Sequence, residues 1–94
     1  MSDEQQLFAE QERGRRASAL LSDPLLSEAF DCVRRAYVEA FEASGHRQDD
    51  ERKEIWRLLQ TVRKVREHIE TVAQTGRLAD LQLQEKRRRC WGFF

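Results

Sequence analysis

Proline is almost missing from this chain: Pro24 is the only one in 94 residues. Glycine is scarce too, with four positions. A sandwich or barrel needs turn residues every 8–12 positions or so, so this poverty excludes a sheet-rich fold. No apolar run approaches the roughly 18–20 residues that span a bilayer, so no membrane contact is expected. Only two cysteines occur, Cys32 and Cys90, and they read as free thiols in a reducing compartment. The start, Met1-Ser2-Asp3-Glu4-Gln5-Gln6, is acidic and polar, unlike a secretory signal. A net excess of charge is missing as well: the formal total is zero, which argues against a stand-alone DNA-binding protein.

Catalytic equipment is equally sparse. There is no glycine-rich phosphate loop. His46 and His68 have no Cys or carboxylate partners at metal-ligand spacing. Cys32 reads as a small buried hydrophobe. The carboxylates are spread over caps and wet faces. The expectation is no enzyme, with no catalytic, cofactor-binding or metal-binding residue.

What the chain has in abundance is charge of both signs, 36% of residues, with only 9% aromatics. That is the composition of long helices. At 94 residues one helical domain is the default. A chain this short buries only about 60% of its unfolded surface, so a solitary core is marginal. The charges are unevenly divided. Residues 1–50 hold 11 Asp/Glu against 6 Arg, net −5, and residues 51–94 hold 6 acids against 11 bases, net +5. This favours antiparallel contact between the halves or head-to-tail contact between copies.

Six apolar residues then mark the main element: Ile55, Leu58, Val62, Val65, Ile69 and Val72, spaced 3-4-3-4-3 on one helical stripe. The helix is predicted over about 50–75, capped by Asp49, Asp50 and Glu51 and stopped at Thr75-Gly76. A partner helix is predicted over about 24–44. Asp23 or Ser22 caps it, Pro24 fits its first position, and Gly45 takes a left-handed conformation at its end. Leu26, Phe30, Val33, Tyr37 and Ala40 form its stripe, widened by Ala29, Ala36 and Phe41.

The short link between these helices predicts an antiparallel hairpin. Tyr37, Ala40 and Phe41 are expected to meet Ile55 and Leu59 near the turn, with Leu26 and Phe30 meeting Ile69 and Val72 at the open end. Val65 lies inside this seam, so Val65→Asp is expected to abolish folding or assembly. Residues 7–21 read as a shorter first helix, weakened by Gly14 and mobile unless docked. The domain thus reads as 1–22 mobile or docking helix, 23–76 hairpin core and 77–94 basic-aromatic tail, in which Arg77 to Gln84 read as a short last helix or a frayed extension.

Two helices leave apolar surface wet. Trp56 and Leu59 flank the main stripe, and Leu20, Leu21, Leu25 and Val38 lack an obvious partner. Either the first helix folds over them or a second protomer does; a small hairpin gains stability by association. The tail combines Lys86, Arg87, Arg88 and Arg89 with Trp91, Phe93 and Phe94. Contact with nucleic-acid phosphates, docking onto a protein partner, and a merely solvated end all remain open for it.

Four segments carry a resemblance: Leu21-Ser22-Asp23-Pro24-Leu25-Leu26-Ser27-Glu28-Ala29-Phe30, Ile55-Trp56-Arg57-Leu58-Leu59, Val65-Arg66-Glu67-His68-Ile69-Glu70 and Thr75-Gly76-Arg77-Leu78-Ala79. Over about residues 20–80 the chain resembles small helical proteins of tailed bacteriophages and prophages, often encoded among virion-assembly genes. The resemblance implies work in the host cytoplasm or the virion. It implies a homo-oligomer meeting portal, capsid or scaffold proteins. It also admits a DNA-packaging factor of small-terminase type, or an inhibitor of a host protein. Small terminases carry a helix-turn-helix before their oligomerisation hairpin, and residues 1–44 contain none that convinces.

Overall fold

The computed structural model describes residues 3–45 and 48–91, with the backbone alone at position 91. These residues are all-helical, with no strand among them: α1 (Asp3–Ser22), α2 (Pro24–Ala43) and α3 (Asp49–Trp91). The chain divides into two compact units, one of Met1–Leu21 with Ile69–Phe94, the other of Ser22–His68.

Asp23 separates α1 from α2 as the sequence predicts. A residue before proline is pushed out of the helical region, and Asp23 is extended at φ −71°, ψ 119°. Its carboxylate accepts hydrogen bonds from the Leu25 N–H at 2.8 Å and the Leu26 N–H at 3.3 Å. Ser22 is the last residue of α1, so Asp23 alone is the cap. Asp23→Ala is expected to cost about 1 kcal/mol; chemical denaturation followed by circular dichroism reads it, and an unchanged midpoint would refute the cap's role.

At its far end α2 closes on Ser44 rather than on a left-handed glycine. The Ser44 N–H donates to the Ala40 and Phe41 carbonyls at 3.1 and 3.3 Å, and its Oγ donates to Phe41 at 2.6 Å. No described glycine has positive φ, so the left-handed conformation expected at Gly45 does not occur. The hydroxyl and the turned amide of Ser44 already satisfy the carbonyls that such a cap serves.

The largest departure from the sequence reading is α3. It runs 43 residues, straight through the expected stop at Thr75-Gly76. Acids Asp49, Asp50 and Glu51 fill its first turn and Arg88 and Arg89 its last, both matching the helix dipole. Residues 77–91 are therefore helix, and Lys86–Arg89 lie within it rather than in a tail.

The unit containing α1 explains why the helix continues. Gly14 of α1 and Gly76 of α3 are both buried and face each other backbone to backbone. A Cβ placed on Gly14 would collide with the Gly76 Cα and stand 3.2 Å from the Val72 carbonyl oxygen. A Cβ on Gly76 would collide with the Gly14 Cα and stand 3.0 Å from the Glu10 carbonyl oxygen. Around this crossing Ala17, Ala73, Ala79 and Leu83 are buried. Gln11 Nε2 donates to Asp80 Oδ1 at 2.6 Å, part-buried. Pairing 11 with 80 and 14 with 76 makes the two helices antiparallel. Glycine costs about 1 kcal/mol in a lone helix. Here its missing side chain admits the other backbone, and burial of Ala79 and Leu83 beyond it holds the helix on.

Candidate functional site

In the unit of residues 22–68, α2 and the first half of α3 each offer one row of side chains. Arg52 sits at the start: its guanidinium carbon lies 4.3 Å from the Phe41 ring centroid. Its Nη1 also reaches the Ser44 carbonyl at 3.5 Å. Ile55 follows, 8% exposed and the one buried large apolar side chain among the described residues of this unit. Leu59 and Val62 continue the row, half-buried.

The ladder residues divide four to two. Ile55, Val62, Ile69 and Val72 are buried or half-buried. Leu58 and Val65 are not: they are exposed at 36% and 51%. In 22–68 the inward residue of the second row is Leu59, one position on from Leu58. A one-position step turns a residue about 100° around a helix, so two of the six ladder residues point to solvent. Leu26, Phe30, Tyr37 and Phe41 are half-buried, while Val33 and Ala40 of the expected stripe are exposed. Ile69 and Val72 fall in the other unit, where the Val72 carbonyl faces Gly14.

Beside the inward row lies a groove of about 500 Å³. Phe30 and Val38 of α2 and Trp56, Leu59 and Val62 of α3 supply its apolar lining. Arg34, Arg63 and Arg66 supply its charge, with Gln60 between, and no carboxylate lines it. Trp56 is 55% exposed on this surface. Arg63 Nε holds Glu67 at 3.1 Å. Arg34 makes no ion pair among the described residues. Three guanidiniums over an apolar floor suit a ligand with an apolar knob and negative charge beside it.

The basic-aromatic element is placed differently from expectation. Lys86 is half-buried and Arg87, Arg88 and Arg89 are exposed, all on α3. Arg89 pairs with Glu85 at 3.7 Å. Trp91 ends α3, and Phe93 and Phe94 lie outside the described residues. Cys32 is exposed, not the buried hydrophobe expected, because α2 turns that position to solvent; Cys90 is exposed as well, and both thiols are free. His68 is exposed, and His46 lies outside the described residues.

On α1, Glu12 contacts Arg15, and Arg16 Nε lies 3.4 Å away. The Arg15 hydrogen bond, then its charge, holds the Glu12 carboxyl below its ordinary value, with Arg16 adding to the shift. These are exposed pairs and contribute little to the fold. Among the described residues no group of three His, Cys, Asp or Glu is arranged to hold a metal ion. No described helix is long and apolar enough to cross a membrane.

The residues missed by sequence reasoning are the small ones. Gly14 with Ala17, and Ala73 with Gly76 and Ala79, lie three apart, so each set shares one helix face. Arg52 over Phe41 had no signal beyond the charge itself. Comparison with protein-family models, with curated proteins and with solved structures finds no match.

Proposed function

We propose that this chain is a non-enzymatic bacteriophage helical protein that associates with itself and takes part in virion structure or assembly through protein–protein contacts. The observation that carries the associative part is the wet apolar surface of residues 22–68. Ile55 is buried there, while Leu25, Val33, Trp56, Leu58 and Val65 are exposed. A two-helix unit with so little enclosed gains from a further helix packed on it. The phage setting rests on the sequence resemblance over residues 20–80.

Within this reading α2 and the first half of α3 form an antiparallel hairpin. Arg52 on Phe41 near the link supports it, as does Phe30 sharing a groove with Arg63 and Arg66 farther along. The helical stretch Lys86–Arg89, with Trp91, Phe93 and Phe94 after it, is the second docking element, meeting portal, capsid or scaffold. A DNA-packaging role is the second reading, favoured by exposed Arg87, Arg88 and Arg89 and opposed by the zero net charge.

Size-exclusion chromatography with light scattering tests the association. The expected mass at tens of micromolar is a multiple of the 11.2 kDa chain. A monomer throughout that range would sink the proposal.

A further inference from the structure

Resting on the self-association just proposed, we infer that the arginine-rimmed groove of residues 22–68 receives the acidic, aromatic first turns of α1 from a second copy of the chain. The groove sets the terms. Its floor is apolar, at Phe30, Trp56 and Leu59, and its charge is Arg34, Arg63 and Arg66 with no lining carboxylate. Arg63 already holds Glu67, whereas Arg34 makes no ion pair among the described residues, so a neutral or basic helix laid over the groove would strip water from the Arg34 guanidinium without replacing it. An acidic segment with an apolar knob offsets that cost and fills the floor.

The chain carries such a segment. Asp3 and Glu4 open α1 and are exposed. Neither makes an ion pair among the described residues. Phe8 is 50% exposed although it is aromatic. Glu4 and Phe8 are four residues apart, so they share one face of the helix. A phenyl ring on that face enters the apolar floor while the carboxylates meet the guanidiniums. The division of charge along the chain agrees, net −5 for residues 1–50 and +5 for residues 51–94. Groove and knob are different surfaces of one chain. Two copies can therefore exchange the contact about a two-fold axis, or copies can add head to tail in series.

Charge reversal on the full chain tests the assignment. Helicity is checked first by circular dichroism, and association is then measured by sedimentation velocity at low and high salt. Arg34→Glu with Arg63→Glu is expected to weaken association by about tenfold or more, and so is Asp3→Arg with Glu4→Arg. Phe8→Ala should weaken it while leaving the charges in place. Combining all four reversals in one chain should restore association, because the pairs return with signs exchanged. If the wild type associates but the groove variant does so equally well, this inference falls and the self-association reading stands. If the groove variant loses association and the combined variant does not regain it, the occupant is another segment and the inference is overturned. A wild-type monomer removes both. A rescue that does not depend on protein concentration places the contact within one chain and also overturns it.

Discussion

Gly76→Val is expected to detach α1 from the second half of α3. The new side chain has nowhere to go. Its Cβ alone would collide with the Gly14 Cα, with the Glu10 carbonyl oxygen at 3.0 Å and the Gly14 nitrogen at 3.2 Å. These are backbone atoms and cannot swing aside as a flexible side chain does. The helices must separate, and the tight burial of Ala17, Ala73, Ala79 and Leu83 goes with them. Overpacking of this kind costs about 1–3 kcal/mol before the lost burial is counted. Hydrogen exchange should show α1 amides losing protection while those of α2 keep theirs.

The smaller change Gly14→Ala carries a sharper sign. Alanine in an exposed helix interior gains about 1 kcal/mol over glycine. At Gly14 the added methyl meets the Gly76 backbone, so the sign should reverse and the melting temperature should fall. Gly45→Ala is the control, since nothing lies within 4 Å of a Cβ there. A Gly14→Ala protein that melts higher, with α1 still protected, would disprove the backbone-to-backbone crossing.

The second large effect concerns the register of α3. Ile55→Asp is expected to unfold residues 22–68. The side chain is 8% exposed, and a carboxylate forced into that place costs several kcal/mol. At protein concentrations too low for association, Val65→Asp is expected to leave helicity and melting nearly unchanged, within about 1 kcal/mol, because Val65 is 51% exposed. The heptad ladder alone implies equal damage at both positions. Urea denaturation of the two variants side by side decides: equal loss would restore the ladder's register and refute the one described here.

The contrast between these residues shows where sequence reasoning stops. The break at Asp23-Pro24 was legible, with only the choice between Ser22 and Asp23 as cap left open, because a cap and a fixed φ act within a few residues of themselves. The acids of the first turn of α3 were legible for the same reason. Gly76 was not. A glycine after an apolar stripe reads as a stop when only its own helix is considered, and the stop is cancelled by a helix more than 50 residues earlier. Leu58 and Leu59 are both leucine, so periodicity cannot choose between them; the helix facing them chooses. Arg34 in α2 and Arg63 and Arg66 in α3 look like ordinary solvated charges along the chain. Only folding brings them around one apolar floor.

By itself, then, the sequence determined the all-helical class, the break at Asp23, the beginnings of α2 and α3 and the opposed charges of the two halves. Each of these follows from interactions within a turn or two, or from composition. Tertiary structure decided the length of α3, the inward row of its first half and the gathering of three arginines beside Trp56. Those depend on which backbone approaches which, and a side chain's absence at Gly14 and Gly76 has meaning only once the other helix is there to occupy the space.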